Sequence, residues 1–290
     1  MAEKEPRVIA VLGATGNQGR GVVKALLDSP HNFQVRAITR DPASQAAQDL
    51  LALVSHHEGL RLVRGDVYDT ASLLGAFEGA HGVFAMTQNH ISGKMFDKEE
   101  DLRHELEAGR NIVDAARGAG VGHFVFSSLP DITGASGGRY PKVYHFDFKH
   151  QIDQWARQRL PAVTTLIPGL FYDNLRWPNY CRRDEDGTTY PIGSSKISFG
   201  EMPAIFSRVT GAPARFESIS LEEWTSTVVS VAGKGFEEDI RQMVQWVRDA
   251  PADKICYGTM DPAADSSWED LGVRASTFEE WILRNKWMGP

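Results

Sequence analysis

Gly13, Gly16 and Gly19 stand in G-x-x-G-x-x-G spacing directly after the apolar run Arg7–Leu12. Glycine at those places suits phosphate chemistry. One lets the chain turn sharply, one lets backbone approach a pyrophosphate, and one lets the next helix pack closely. A helix opening at this loop, with Val22, Val23, Leu26 and Leu27 at helical spacing, aims unpaired N–H groups and a positive dipole end at the phosphates. The expected phosphate loop is therefore Gly13, Ala14, Thr15, Gly16, Asn17, Gln18 and Gly19. A ligand-free turn could use the same glycines, but here strand, loop and helix occur together in one short unit.

Arg40 follows the next strand-like run, Phe33–Ile38, after Thr39. An acidic residue there would bond a ribose 2′-hydroxyl. An arginine instead meets a 2′-phosphate through two parallel hydrogen bonds, so the expected ligand is NADP(H). Asp41 would reverse that preference if it pointed inward, and a purely surface Arg40 is the competing reading. Asp66, after a third run at Leu60–Val63, has two readings: a partner for an adenine edge, or a turn former after Gly65.

The elements that must position these residues alternate in period. Further short apolar runs lie at Gly82–Met86, His123–Phe126 and Val163–Ile167. Between them fall helical patterns ending near Ser55, around Leu73 to Phe77, over Lys98–Gly118 and over Phe148–Arg159. This rhythm predicts an α/β fold, a Rossmann-type doubly wound parallel sheet over residues 1–167. After Pro168 the rhythm breaks. Pro, Gly, Trp and charged residues cluster from Tyr172 to Ser198, as loops over a cleft would require. Helical patterns follow at Gly200–Val209, Leu221–Ala232, Phe236–Ala250 and Thr277–Asn285, so residues 168–290 are expected to form a smaller, mainly helical lobe.

Composition removes other classes. Lys plus Arg total 31 against 38 Asp plus Glu in 290 residues, a net charge of −7 that disfavours direct nucleic-acid binding. No apolar stretch is long enough to span a bilayer, and the N-terminus shows no charged-then-apolar leader. Cys181 and Cys256 are too few for a disulfide framework or a Cys-based zinc site. His56–His57 has no partners at metal spacing, so no metal is expected. A cytoplasmic protein is the expectation, or a nuclear one if its role is regulatory.

Several segments together resemble the NmrA-like family of atypical short-chain dehydrogenases/reductases. They are VLGATGNQGRGVVKALL, VRAITRDP, VRGDVYD, NIVDAARGAGVGHFVFSSL, HFDFKHQID, PGLFYDNL, Phe199 to Ser220 and TFEEW. The resemblance implies an NADP(H)-binding Rossmann domain and a small lobe closing over the nicotinamide end. It implies that Gly13, Thr15, Gly16, Asn17 and Gln18 cradle the pyrophosphate, Arg40 the 2′-phosphate and Asp66 the adenine. Thr87, Gln88 and Asn89 would line the path to the nicotinamide, Lys149 would stand beside its ribose, and Phe171, Tyr172, Asp173 and Asn174 would flank the ring.

The proton-transfer site departs from the commoner Tyr-x-x-x-Lys pair, in which a lysine lies against a tyrosine on one helix face. Tyr144 and Tyr140 precede Lys149 by five and nine residues, whereas His145 lies at i−4. Lys149 is the candidate catalytic residue, either donating to ribose hydroxyls or moving a proton to substrate. His145 is a catalytic partner or a helix-start residue bonded to backbone. Ser127 and Ser128 stand where relatives keep a catalytic serine, or form a plain turn. Tyr172 is a substrate contact or an aromatic wall. The resemblance also implies several dozen residues near Ile197–Ser198 that this sequence lacks, a shortening of the substrate lobe. The expected activity is an NADP(H)-dependent oxidoreductase of a small organic substrate, with secondary metabolism as the setting. The alternative is a non-catalytic NADP(H)-sensing regulator that binds a protein partner.

Overall fold

The computed structural model describes residues 6–91, 93–176, 198, 200–271 and 276–289. In chain order the first elements are β1 (Arg7–Val11), α1 (Asn17–Leu27), β2 (Phe33–Thr39), α2 (Gln45–Leu53), β3 (Leu60–Arg64), α3 (Thr70–Phe77) and β4 (Gly82–Met86). Next come α4 (His104–Gly118), β5 (His123–Ser127), the single turn α5 (Ile132–Ala135), α6 (Tyr144–Arg159) and β6 (Val163–Leu166). The remaining helices are α7 (Met202–Thr210), α8 (Leu221–Ala232), α9 (Glu237–Asp249), α10 (Ser267–Leu271) and α11 (Phe278–Asn285).

The strands are short, apolar and rich in valine, which suits a sheet covered on both faces. They form one parallel sheet in the order β3-β2-β1-β4-β5-β6. The order reverses between β1 and β4, and ligands of such sheets bind outside the carboxyl ends of the strands at that point. Alternation along the strands feeds two cores. Ala10, Leu12, Val83, Ala85, Phe124 and Phe126 pack with α3, α4 and α6. Val11, Val35, Ala37 and Phe84 pack on the other side with Val23 of α1 and Leu50 of α2. Each large side chain buried there contributes about 1.5–3 kcal/mol.

Two compact units result, and they interleave along the chain. The first comprises Met1–Gly93, Glu100–Asp131 and Tyr144–Ile167; the second comprises Lys94–Glu99, Ile132–Val143 and Pro168–Pro290. The second has its own core of Leu175, Met202, Phe206, Phe278, Trp281, Ile282 and Trp287. Its helices end where the sequence supplies caps. Ser220 accepts from the Glu223 N–H at 3.1 Å to open α8, Thr277 and Glu280 form a capping box on α11, and Gly211 closes α7 in the left-handed region.

The structure corrects two of the expected elements. The helix expected from Lys98 begins as a 3₁₀ turn, Glu99–Arg103, and becomes α-helical only at His104. The preceding segment is committed elsewhere: Phe96 N–H donates to Ala232 O at 2.9 Å and Gly235 N–H to Phe96 O at 2.7 Å. The helix expected from Phe148 starts four residues earlier, at Tyr144. Of the cluster Tyr172–Ser198, residues 177–197 lie outside the described residues, as does Ile197 of the expected shortening; Tyr172–Arg176 is a 3₁₀ turn.

Candidate functional site

Loops after β1, β2, β3, β4 and β5, with the starts of α4 and α6, bring the functional side chains of the first unit together. After β1, Gly13 turns with φ +65°, and Gly16 N–H donates to Gly13 O at 2.9 Å. A Cβ on Gly19 would lie 2.1 Å from Gly13 O, so the first turn of α1 presses directly on the loop backbone. Arg20 braces the outside, its Nε donating to Thr15 O at 2.9 Å. Gln18 Nε2 donates to Ser127 Oγ at 2.9 Å, tying the loop to the end of β5. The helix opens with no acidic residue in its first turn and no side-chain cap on its N-terminus. Its leading N–H groups therefore face outward with their dipole uncompensated, as an anion site requires.

Arg40 is exposed at the end of β2 and makes no hydrogen bond or ion pair among the described residues. Asp41 does not oppose it by hydrogen bonding: its Oδ1 accepts from Ala43 N–H at 2.9 Å and caps its own turn. Asp66 does the same for Tyr68, accepting its N–H at 3.0 Å, so one carboxylate oxygen serves the turn. Burial, with Glu107, Asp66 and Glu105, holds the Tyr68 hydroxyl above its ordinary pKa, while Arg40 pulls the other way.

Around the end of β4, Thr87 is buried and its hydroxyl donates to Glu105 Oε1 at 2.6 Å, while Gln88 is exposed. Asn89 O lies 3.2 Å from His104 Nε2, and Tyr68 OH lies 2.7 Å from His104 Nδ1. A carbonyl only accepts, so Nε2 carries the proton, and in the neutral ring Nδ1 accepts from Tyr68. His104 thus links the loops after β3 and β4.

Lys149 projects from α6 and its Nζ donates to Glu105 Oε1, with His145 O at 3.5 Å. Glu105 is fully buried. Tyr144 is the first residue of α6 and stacks on Phe148 at 5.4 Å between ring centres; five residues before Lys149, it points to a different face. Ser128 donates its N–H to Leu166 O at 2.8 Å and is almost fully buried.

Phe171, Tyr172, Asp173 and Asn174 belong to the second unit. Tyr172 packs at a tilt against Phe278 and Trp281, with ring centres 5.3 and 5.8 Å apart, Asp173 pairs with Arg176 at 3.3 Å, and Phe171 is exposed. Tyr140, also in that unit, donates to Asp249 Oδ2 at 2.5 Å.

Sequence reasoning missed Glu105, His104, Tyr68 and His90. Glu105 carried a signal, because it continues the buried stripe Ala108, Gly109, Ile112 and Ala116 of α4 with a carboxylate. His90, beside Asn89, is exposed, and partial loss of hydration, then the positive charge of Lys149, lowers its pKa below the usual value of about 6.5. Glu105 opposes this only partly. A depressed histidine favours the neutral form in the folded state, so its contribution is present above about pH 6.5 and lost as pH falls below it. The urea midpoint should therefore drop more between pH 7.5 and pH 5.5 in the wild type than in His90→Asn. Equal drops would show that His90 does not titrate as placed.

Among the described residues no helix is long and apolar enough to cross a membrane, and no cluster of His, Cys, Asp or Glu could hold a metal. The fold is similar to that of a quinone oxidoreductase, QOR2, from Escherichia coli complexed with NADPH. That likeness covers 96% of this chain and 99% of that one at 17% identity, with a TM-score of 0.65. Triphenylmethane reductase from Citrobacter sp., complexed with NADP(H), is similar over 95% of this chain and 99% of its own at 20% identity, TM-score 0.61. In sequence the chain is 41% identical over 161 residues to the NmrA-like family domain-containing oxidoreductase FrzB of Cladobotryum sp, covering 56% of this chain and 45% of that protein. It is 43% identical over 158 residues to hkm9 of Aspergillus hancockii, described likewise, covering 54% and 44%. The matched part thus spans less than half the length of either relative. The model of the NmrA-like family matches residues 5–195, and the chain belongs to that family.

Proposed function

We propose that this protein is an NADP(H)-dependent oxidoreductase of a small organic substrate. The observation that carries the reading is Arg40, an exposed guanidinium with no hydrogen bond or ion pair among the described residues, at the strand end where the adenosine ribose of a dinucleotide lies. The first turn of α1 adds outward N–H groups and an uncompensated dipole. The NADPH complexes of proteins with the same fold, and the oxidoreductase names of the relatives, are in keeping with it.

On this reading Gly13 to Gly19 hold the pyrophosphate, Arg40 the 2′-phosphate, and the free oxygen of Asp66 faces the adenosine. Thr87, Gln88 and Asn89 line the way to the nicotinamide, and Lys149 bonds its ribose. When bound, NADP(H) would supply or accept the hydride, and these residues would hold and orient it. A setting in secondary metabolism rests on the family resemblance. A cytoplasmic location rests on the composition alone.

The test is a fluorescence titration with NADPH and NADH. The wild type should prefer NADPH, and Arg40→Ala should lose about 10- to 100-fold in NADPH affinity with NADH little changed, the worth of a charged hydrogen-bonded contact. Equal binding of both coenzymes by the wild type would sink the reading of Arg40. A second reading, a coenzyme sensor without turnover, is favoured by one observation: Tyr144 stacks on Phe148, away from the face that carries Lys149. Tight NADPH binding, with no loss of nicotinamide absorbance over a panel of quinones and carbonyls, would establish it.

A further inference from the structure

Lys149 is a long side chain with three rotatable donors, and a flexible amine does not by itself define a direction. Here two of those donors are directed by the protein: one to Glu105 Oε1 and one, at 3.5 Å, to His145 O. Only one N–H is left over. Glu105 in turn is anchored, since its Oε1 also accepts from Thr87 Oγ1 at 2.6 Å at the end of β4. Its Oε2 is buried and has no hydrogen-bond partner among the described residues, and the residue is 0% exposed.

A buried ion pair of this kind is a poor way to gain stability, because apolar replacements often do as well. What it supplies is one orientation of the amine. The helices are built to permit it. One turn beyond the pair, a Cβ on Gly109 would stand 2.3 Å from Cδ1 and Cγ1 of Ile152, so α4 and α6 come as close as a glycine allows. That closeness lets a glutamate on α4 reach a lysine on α6 without either leaving its helix.

We infer that Glu105 is the positioning residue for Lys149, fixing where the remaining N–H points. The coenzyme arm of the test rests on the NADP(H) reading above. Thr87 holds the carboxylate, Glu105 holds the amine, and the amine meets the ligand. Glu105 itself touches no ligand, because both its oxygens are enclosed.

Two measurements test this. In the first, the rate of Lys149 acylation by acetic anhydride is read by peptide mass spectrometry, with exposed Lys24 as the internal standard. Glu105→Gln keeps the shape and the bond from Thr87 but removes the charge, and Lys149 should then react about tenfold faster relative to Lys24, the worth of a charged hydrogen bond. An unchanged ratio overturns the inference. In the second, NADPH affinity is measured around a cycle of Glu105→Gln, Lys149→Met and the double variant. Glu105→Gln should cost about tenfold when Lys149 is present and nothing when it is Met, because the glutamate acts only through the lysine. An equal loss in both backgrounds identifies Glu105 as a structural strut and overturns the inference. If Lys149 is protected by Glu105 but no protein in the cycle binds NADPH, the positioning stands and the NADP(H) reading falls. Should Glu105→Gln fold poorly, Gly109→Ala is the second variant. It spreads the helices without altering either charge, and should raise Lys149 reactivity in the same direction.

Discussion

Gly19→Ala is expected to weaken coenzyme binding about 100-fold while leaving a folded protein. The added methyl would stand 2.1 Å from Gly13 O, 2.6 Å from Gly13 C and 2.8 Å from Ala14 Cα. All three are backbone atoms, so no side chain can swing aside. Alanine favours a helix over glycine by about 1 kcal/mol, which offsets part of an overpacking cost of about 1–3 kcal/mol. The net effect on stability is thus small, but the loop must shift. Displacing the donors by about 1 Å weakens a positioned interaction about 100-fold, so affinity is the sensitive quantity. A fluorescence titration with NADPH beside a urea unfolding curve checks both. Unaltered affinity would mean that the loop does not hold the pyrophosphate. Gly21, on the same helix, is the control, since a Cβ there meets nothing within 4 Å.

Lys149→Met carries the other large effect, and it falls on stability. The side chains of Lys149 and Glu105 are 13% and 1% exposed. Removing the lysine leaves a buried carboxylate with only the Thr87 hydroxyl as partner among the described residues, and breaking such a pair costs about 3–5 kcal/mol. The exposed pair Lys24–Asp28, 56% and 63% exposed, is the contrast: its loss should cost no more than about 1 kcal/mol. Adding Glu105→Gln to Lys149→Met should restore most of the lost stability, because no charge then remains buried. Urea midpoints of the single and double variants decide it. A double variant no more stable than Lys149→Met would show that the cost lies in packing and not in the stranded charge. The consequence for enzymology is direct: loss of turnover in Lys149→Met alone mixes in this stability cost, whereas loss in the double variant does not.

The glycine turn and the sheet were legible in the amino-acid order because their causes are local. A valine-rich run followed by glycines at fixed spacing dictates a strand, a turn and a helix start without reference to anything distant. The position of Arg40 was legible for the same reason, since it directly follows β2. The start of α4 was not. Nothing in Lys98–Arg103 forbids an α-helix, but the bonds of Phe96 to Ala232 and Gly235 take the preceding backbone elsewhere. Those partners lie more than a hundred residues away.

The roles of His145 and Lys149 divide along the same line. Their i, i+4 spacing foretold a shared face, and what meets Lys149 Nζ from His145 is its backbone carbonyl, at 3.5 Å. It did not foretell that the partner holding Lys149 is a glutamate 44 residues earlier, on another helix. That pairing depends on how closely α4 approaches α6 at Gly109 and Ile152, and on the register of the two helices. By itself the sequence determined the parallel α/β framework, the glycine turn and an arginine directly after the second strand, since each follows from neighbours along the chain. Only the tertiary structure decided which buried charge answers Lys149, because a buried ion pair is set by the approach of surfaces that no local pattern encodes.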